Sequence, residues 1–262
     1  VVDPLVKSGK LRWATFSEMA DAYRAWELDN PNVDPRKDDV PGSQEPSVNP
    51  DRVYEVGPQF AGYYQRVAGA KVLGPAIGPV LDKAQYFEKG RLEDHSAEFE
   101  GEWAYAYGLL VPELIGSQAK VRIAGHAGPT YADLTAKVSA GARVTSPSPA
   151  GGLVNNPDGS VFVPFDVGLA GRSGHVVPAY FWRYVNNMTL FPGGWLHDTG
   201  LPMSEAFSID VAKGVERRTV TVQVFERAIL TYDPRNPVEF QVERANVGLA
   251  YRDAFPDRVL GR

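Results

Sequence analysis

The sequence predicts an α+β protein with two helix-plus-β-hairpin repeats flanking a small β domain. Three observations predict it. First, the stretch Gln85-Tyr86-Phe87-Glu88-Lys89 with Leu92 returns as Gln223-Val224-Phe225-Glu226-Arg227 with Leu230, and repetition of this kind marks a duplicated structural unit. Second, Thr219 to Phe225 alternates, with Val220, Val222 and Val224 on one side and Thr221, Gln223 and Phe225 on the other, the two-residue period of a strand. Third, Val177, Tyr180, Phe181 and Tyr184 recur at helical spacing, which predicts a short helix over Gly174–Asn187.

Taken in chain order, residues 1–52 form an N-terminal segment. Within it, 15–28 predicts a helix with Phe16, Met19, Ala20, Tyr23 and Trp26 on one face and Thr15 or Ser17 as its cap. Five prolines follow in 29–52 (Pro31, Pro35, Pro41, Pro46, Pro50), the composition of an extended arm. Repeat 1 spans 53–117 and repeat 2 spans 173–262. Upstream, Gly57, Tyr63 and Arg66 fall on Gly174, Tyr180 and Arg183; downstream, Glu98-Phe99 falls on Glu239-Phe240 and Gly108 on Gly248. The second copy is longer, with its extra residues in the loop Phe191–Trp195 and the segment Ser208–Arg217, which reads as loop. Between the copies, 118–172 reads as a small β domain. Strands are expected at Lys120–Ala124 and Ser160–Phe165, the latter at a sheet edge because Pro164 lacks a donor. A turn is expected at Asn156-Pro157-Asp158-Gly159.

The composition bounds the function. With 262 residues, 44% hydrophobic and 23% charged, the chain has the makeup of a folded globular protein. A net charge of −5 and the lack of a basic tract argue against nucleic acid as a partner. The longest nearly uncharged apolar stretch, Trp103 to Val111, is too short to insert in a bilayer. There is no Cys, which excludes thiol chemistry, Cys-ligated zinc and iron–sulfur clusters. The chain begins at Val1, which suits a removed N-terminal signal.

Chemistry-bearing motifs are sparse, and neither a cofactor nor a metal site is expected. Phosphate-binding glycine loops and the G-x-S-x-G elbow are lacking. His95, His126, His175 and His197 are scattered, without ligand spacing. Asp198-Thr199-Gly200 matches the aspartic-protease triplet, but that chemistry needs a second aspartate; the triplet reads as a turn. Glu88 and Glu226, duplicated after Phe, could form a glycosidase pair, and the plainer reading is that each satisfies backbone donors. Gln85, Phe87, Glu88, Gln223, Phe225, Glu226 and Arg227 are therefore assigned to the repeat cores. Trp103, Tyr105 and Tyr107, sharing a face if they form a strand, and Trp195 in its Gly-rich loop are the candidates for glycan or subunit contact. Asn187-Met188-Thr189 is a glycosylation sequon.

The run Ser173-Gly174-His175, Tyr180-Phe181-Trp182, Gly200-Leu201-Pro202 to Glu205, then Val222-Gln223-Val224-Phe225-Glu226-Arg227-Ala228 to Pro234, resembles a repeat of secreted, cell-surface-associated proteins of green non-sulfur (Chloroflexus-type) bacteria. The first copy is degenerate, with Gly57-Pro58 where the family has G-H. The resemblance implies an extracellular or cell-surface address and a modular role, and carries over no catalytic residue. The resulting expectation is a secreted, non-enzymatic structural protein that self-assembles at the cell surface as a filament or layer subunit, and hence a homo-oligomer. The alternative is a glycan- or cell-wall-binding module, with a glycosidase or peptidase behind it.

Overall fold

The computed structural model describes residues 54–123, 128–139, 152–165, 174–213 and 216–261. The helix expected at 15–28 and the arm at 29–52 lie outside them. The described residues fall in one compact unit, Asp51–Arg262, and their fold is α+β.

Its first part runs α1 (Pro58–Arg66), α2 (Gly69–Val72), then strands β1 (Ala76–Leu81), β2 (Ala84–Phe87), β3 (Gly90–Asp94) and β4 (Tyr105–Tyr107), then α3 (Leu110–Gly116). The strands form an antiparallel meander in chain order, with a 3-10 turn at Gly101–Ala104 before β4. After α4 (Leu134–Ser139) comes a three-stranded antiparallel sheet of β5 (Val154–Asn155), β6 (Val161–Pro164) and β7 (Gly174–Val177). The last part runs α5 (Ala179–Val185), α6 (Trp195–Asp198), β8 (Phe207–Lys213), β9 (Glu216–Val224), β10 (Ile229–Tyr232), a 3-10 turn at Val238–Phe240, β11 (Val242–Arg244), α7 (Val247–Ala254) and α8 (Pro256–Leu260). Strands β8 to β11 form a second antiparallel meander. Up to α7, this part passes through the same order of elements as the first.

Corresponding positions make corresponding hydrogen bonds. In the β2–β3 turn, Glu88 N donates to Pro75 O at 3.1 Å and Lys89 N to Leu73 O at 2.9 Å. In the β9–β10 turn, Glu226 N donates to Leu201 O at 3.1 Å and Arg227 N to Thr199 O at 3.0 Å. Between those acceptors lie Gly74 and Gly200, with φ of +74° and +75°. Each needs glycine twice over: for that backbone, and because a Cβ there would meet the Glu88 or Glu226 side chain at under 3 Å.

The two glutamines do the same task with one difference. Gln85 Nε2 donates to Glu55 O at 2.8 Å and Gly78 O at 3.1 Å, and its Oε1 accepts from Gly57 N at 2.9 Å. Gln223 Nε2 donates to Val176 O at 3.0 Å and Ser204 O at 2.9 Å. The residue standing two beyond Val176, as Gly57 stands two beyond Glu55, is Pro178. Proline has no N–H, and Gln223 Oε1 accordingly meets no donor.

Three apolar cores divide the work. Phe60, Tyr63, Leu73, Phe87, Leu92 and Tyr107 fill the space between α1 and one face of the first meander. Phe181, Val185, Phe225, Ala228 and Leu230 do so between α5 and the second, joined by Val161, Val163 and Val177 of the three-stranded sheet. The remaining core lies between the two meanders. It takes Ile77 and Tyr86 from the first, Val220, Val222, Val224 and Ile229 from the second, and α3, α7 and Tyr131 around them. Of the expected two faces of Thr219–Phe225, Val220, Val222 and Val224 lie in the central core, and Phe225 enters the core beneath α5 with Gln223 buried beside it.

Several expectations need correction. Each unit carries a four-stranded meander, larger than a hairpin. Gly174–Val177 is strand β7; only Ala179–Val185 is helical, because Pro178 sets an extended backbone (φ −55°, ψ 149°) just before it. The helix match therefore slips one turn: α5 begins after Pro178 as α1 begins after Gly57, so Phe60 corresponds to Phe181 and Tyr63 to Tyr184. A similar slip affects Gly108, which corresponds to Ala245, each donating its N–H across to the neighbouring strand (to Arg91 O and Ile229 O). Strand β6 is central and Pro164 closes its end, opposite Gly174, where no Cβ fits against Val163 O. The three-stranded sheet takes β7 from beyond residue 172. Of the strand expected at Lys120–Ala124, the described part shows a single bridge, Arg122 to Thr130. Ser208–Arg217 extends a hairpin: the Gln223–Ser204 bond spans 19 residues where Gln85–Gly78 spans 7.

Replacing Gln85 with Leu leaves one buried donor and two acceptors unmatched, and each such group costs roughly 1–3 kcal/mol. Gln85→Leu is therefore expected to destabilise the protein by about 2–4 kcal/mol in urea denaturation, and Gln223→Leu by less, since its Oε1 already lacks a donor.

Candidate functional site

The four aromatic residues expected to offer a contact surface separate on folding. Trp103 lies in the first 3-10 turn and is 48% exposed. Tyr105 is half-buried against Phe60 and Tyr63. Tyr107 is fully buried, because β4 is a strand whose alternation turns it into the core. Trp195 starts α6 and packs on Trp182 at 5.6 Å in the core beneath α5. Of the four, Trp103 is the exposed one, Tyr105 and Trp195 being half-buried, and it shares no strand face with the tyrosines.

With Phe99, which is 55% exposed, Trp103 walls a shallow surface pocket of about 360 Å³ whose other lining residues are His95, Glu100 and Ala106. The local sequence is acidic: Glu93, Asp94, Glu98, Glu100 and Glu102 with no Lys or Arg in 93–102. His95 Nε2 lies 3.3 Å from Glu93 and its Nδ1 4.0 Å from Glu98. The second half presents a comparable feature at the corresponding 3-10 turn, where Val238 is 82% and Phe240 58% exposed. A separate cleft of about 610 Å³ lies beside the second meander, lined by Lys89, Tyr131, Val220, Thr231, Glu243 and Asn246 among others.

Beneath Trp103 lies a buried ion pair that the sequence did not announce. Trp103 meets the edge of the His197 ring at 4.9 Å. His197 Nδ1 lies 2.8 Å from Asp198 Oδ1 and its Nε2 2.7 Å from Tyr105 O. Both ring nitrogens face acceptors, and a neutral imidazole has only one donor. The geometry therefore calls for imidazolium opposite an Asp198 carboxylate. Burial alone pushes His197 down, but the Asp198 hydrogen bond and charge, with the carbonyls of Tyr105 and Glu102, outweigh it and hold its pKa above 6.5. The hydroxyls of Tyr63 and Tyr107 lie buried beside each other and near Asp198, and burial pushes both tyrosines strongly up; Asp198 Oδ2 has no hydrogen bond of its own among the described residues. The pair joins α6 of the second half to β4 of the first. Its position in α2 of the first half is held by Lys71-Val72, so the latch exists once.

Other candidate residues make contacts within the fold. Glu226 Oε2 accepts from Leu201 N at 2.9 Å, the plainer of the two readings given to it. Asp198, in the protease-like triplet, is matched by Val72 and is committed to His197. His175 Nδ1 lies 3.0 Å from Glu205 Oε1, whose carboxylate also accepts from Val176 N. Asp233 is held down at about 2 by Arg235, with Arg218 adding to it. Among the described residues no group of three or more His, Asp or Glu is arranged to hold a metal ion, and no helix is long and apolar enough to cross a membrane. Asn187 of the sequon is exposed. His126 lies outside the described residues.

No protein family, curated protein or solved structure matches the chain.

A histidine whose folded pKa is raised contributes stability that is complete below 6.5 and is lost as pH rises through the folded value. Denaturation midpoints are therefore expected to fall on the alkaline side of 6.5, and the fall is expected to vanish in His197→Phe. An unchanged alkaline slope in that variant would place its origin elsewhere.

Proposed function

We propose that the chain is a non-enzymatic structural protein that self-assembles at the cell surface, using its exposed apolar 3-10 turns as contacts. One observation carries this reading: each half places large, solvent-facing apolar side chains on or just before the turn that leads into the last strand of its meander, Phe99 and Trp103 in one, Val238 and Phe240 in the other. Both strands, β4 and β11, are sheet edges. Exposed apolar side chains beside a sheet edge are the usual makings of a protein contact. Of the carboxylates that a catalytic reading would use, Glu88, Glu226 and Asp198, the last two are engaged in holding the fold. The surface address rests on the resemblance to secreted repeat proteins, and the duplicated element order and turn hydrogen bonds support reading the two halves as copies.

A glycan-binding module is the second reading, favoured by the Trp103 ring standing beside the carboxylate of Glu100 in one pocket. Sedimentation separates the two. Assembly predicts a mean mass that climbs with concentration and falls to the monomer in Trp103→Ala. Glycan binding predicts a monomer at every concentration, retained on polysaccharide and released by the same substitution.

A further inference from the structure

The turn that carries Trp103 is pinned from α1, from the end of β3 and from α6. Glu102 pairs with Arg66 of α1 at the surface, Ala104 O accepts from His95 N at 2.8 Å, and Tyr105 O, directly after the turn, accepts from His197 Nε2 at 2.7 Å. The last is the buried pin, and the Trp103 ring rests on the same imidazole at 4.9 Å. Both nitrogens of that imidazole face acceptors, so the pin is complete while His197 is charged. A neutral imidazole keeps one N–H, and the bond to a carboxylate is the stronger of the two. The proton that stays is therefore the one on Nδ1, toward Asp198. Nε2 then turns a lone pair to Tyr105 O, and the bond that fails is the one beneath the turn.

We propose that His197 is a proton switch for the Trp103 surface: charged, it holds the turn seated on α6; neutral, it lets the turn and the Trp103 side chain loosen. The switch is a property of the single chain. Its use, control of self-assembly through that surface, rests on the assembly reading above, with contacts formed on the acid side and released on the alkaline side. The groups around the pair fit this role. Tyr63 of α1 and Tyr107 of β4 face the His197 ring, and burial pushes both far up, so both stay neutral. Arg66 of α1, Arg227 of the β9–β10 turn and Arg244 of β11 stand near Asp198 and keep their charge. Glu102 of the turn lends its backbone carbonyl to His197, while its carboxylate is taken by Arg66. His197 is left as the group that changes charge near neutral pH. Burial opposes that charge, and the Asp198 bond with the two carbonyls outweighs burial and holds the proton above the ordinary 6.5.

The test follows the indole N–H resonance of Trp103 by NMR in the full chain, diluted to the monomer, from about pH 6 to about pH 9. Sedimentation of a concentrated sample follows the mass over the same range, and native circular dichroism at each pH shows that the chain stays folded. The Trp103 resonance is expected to shift through a midpoint above 6.5, in step with the His197 ring, and higher oligomers to dissociate through the same midpoint. Asp198→Asn removes the carboxylate charge and is expected to lower that midpoint by about one pH unit or more, which a merely structural histidine would not do. His95→Gln, at the other histidine beside Trp103, is expected to leave it in place. A Trp103 resonance that stays put while His197 loses its proton would overturn the switch, and so would a transition that vanishes in His95→Gln. Oligomers whose mass ignores the Trp103 titration would overturn its control of assembly and leave the assembly reading standing. A monomer at every pH and concentration would remove the assembly reading, while a Trp103 resonance still titrating with His197 would support the switch without it.

Discussion

The structure depends on how the two hairpin turns are seated. Each Glu-Lys or Glu-Arg turn sits in its own half on the loop before the first strand, and then reaches the other half at the junction between last strand and helix. Arg227 Nε donates to Tyr107 O at 2.7 Å. Lys89 Nζ donates to Asn246 Oδ1 at 3.0 Å, and Glu88 O accepts from Leu249 N at 3.1 Å. Gly248 allows that last approach, since a Cβ there would fall 1.8 Å from Phe87 O. The helices α3 and α7 and the central core follow from this crossed seating. So does the network in which Glu113 accepts from Arg91 at 3.0 Å and from the Tyr251 hydroxyl at 2.6 Å.

The repeated residues were therefore legible because they are the ones with two jobs. Gln85 and Gln223 must satisfy carbonyls inside a sheet, and Phe87 and Phe225 fill the two outer cores. The match around them holds in register. Away from the turns the match slips by about a turn of helix, at Gly174 and Gly248. There the constraint is periodic burial, which Phe60 and Phe181 meet as well as any other pair at the same spacing. The β7 strand was hidden because Val176 and Val177 fit a strand and a helix equally well, and Pro178 alone decides between them. Central placement of β6 depends on β7 pairing with it, which no local signal announces.

The candidate site was half visible. Trp103 was singled out from its aromatic run, but alternation in β4 buries Tyr107, and Trp195 packs under α5. His197 and Asp198 looked like parts of a loop and a chance triplet. Their meaning comes from Tyr105 O, 92 residues away in sequence, and no spacing rule reaches that far. The same pair places buried charge at the inter-half seam directly beneath the exposed tryptophan, so the surface patch rests on the joint between the halves.

The central claim is that the two halves stabilise each other through the crossed turns and open together. Native-state hydrogen exchange tests it most directly, read at the amides of Leu92 in β3 and Leu230 in β10, in the unaltered chain and in Gly248→Ala. Mutual support predicts one shared opening free energy for both amides, lowered equally by the substitution even though Gly248 touches only the first half's turn. Two distinct opening energies, or a loss confined to one meander, would contradict it.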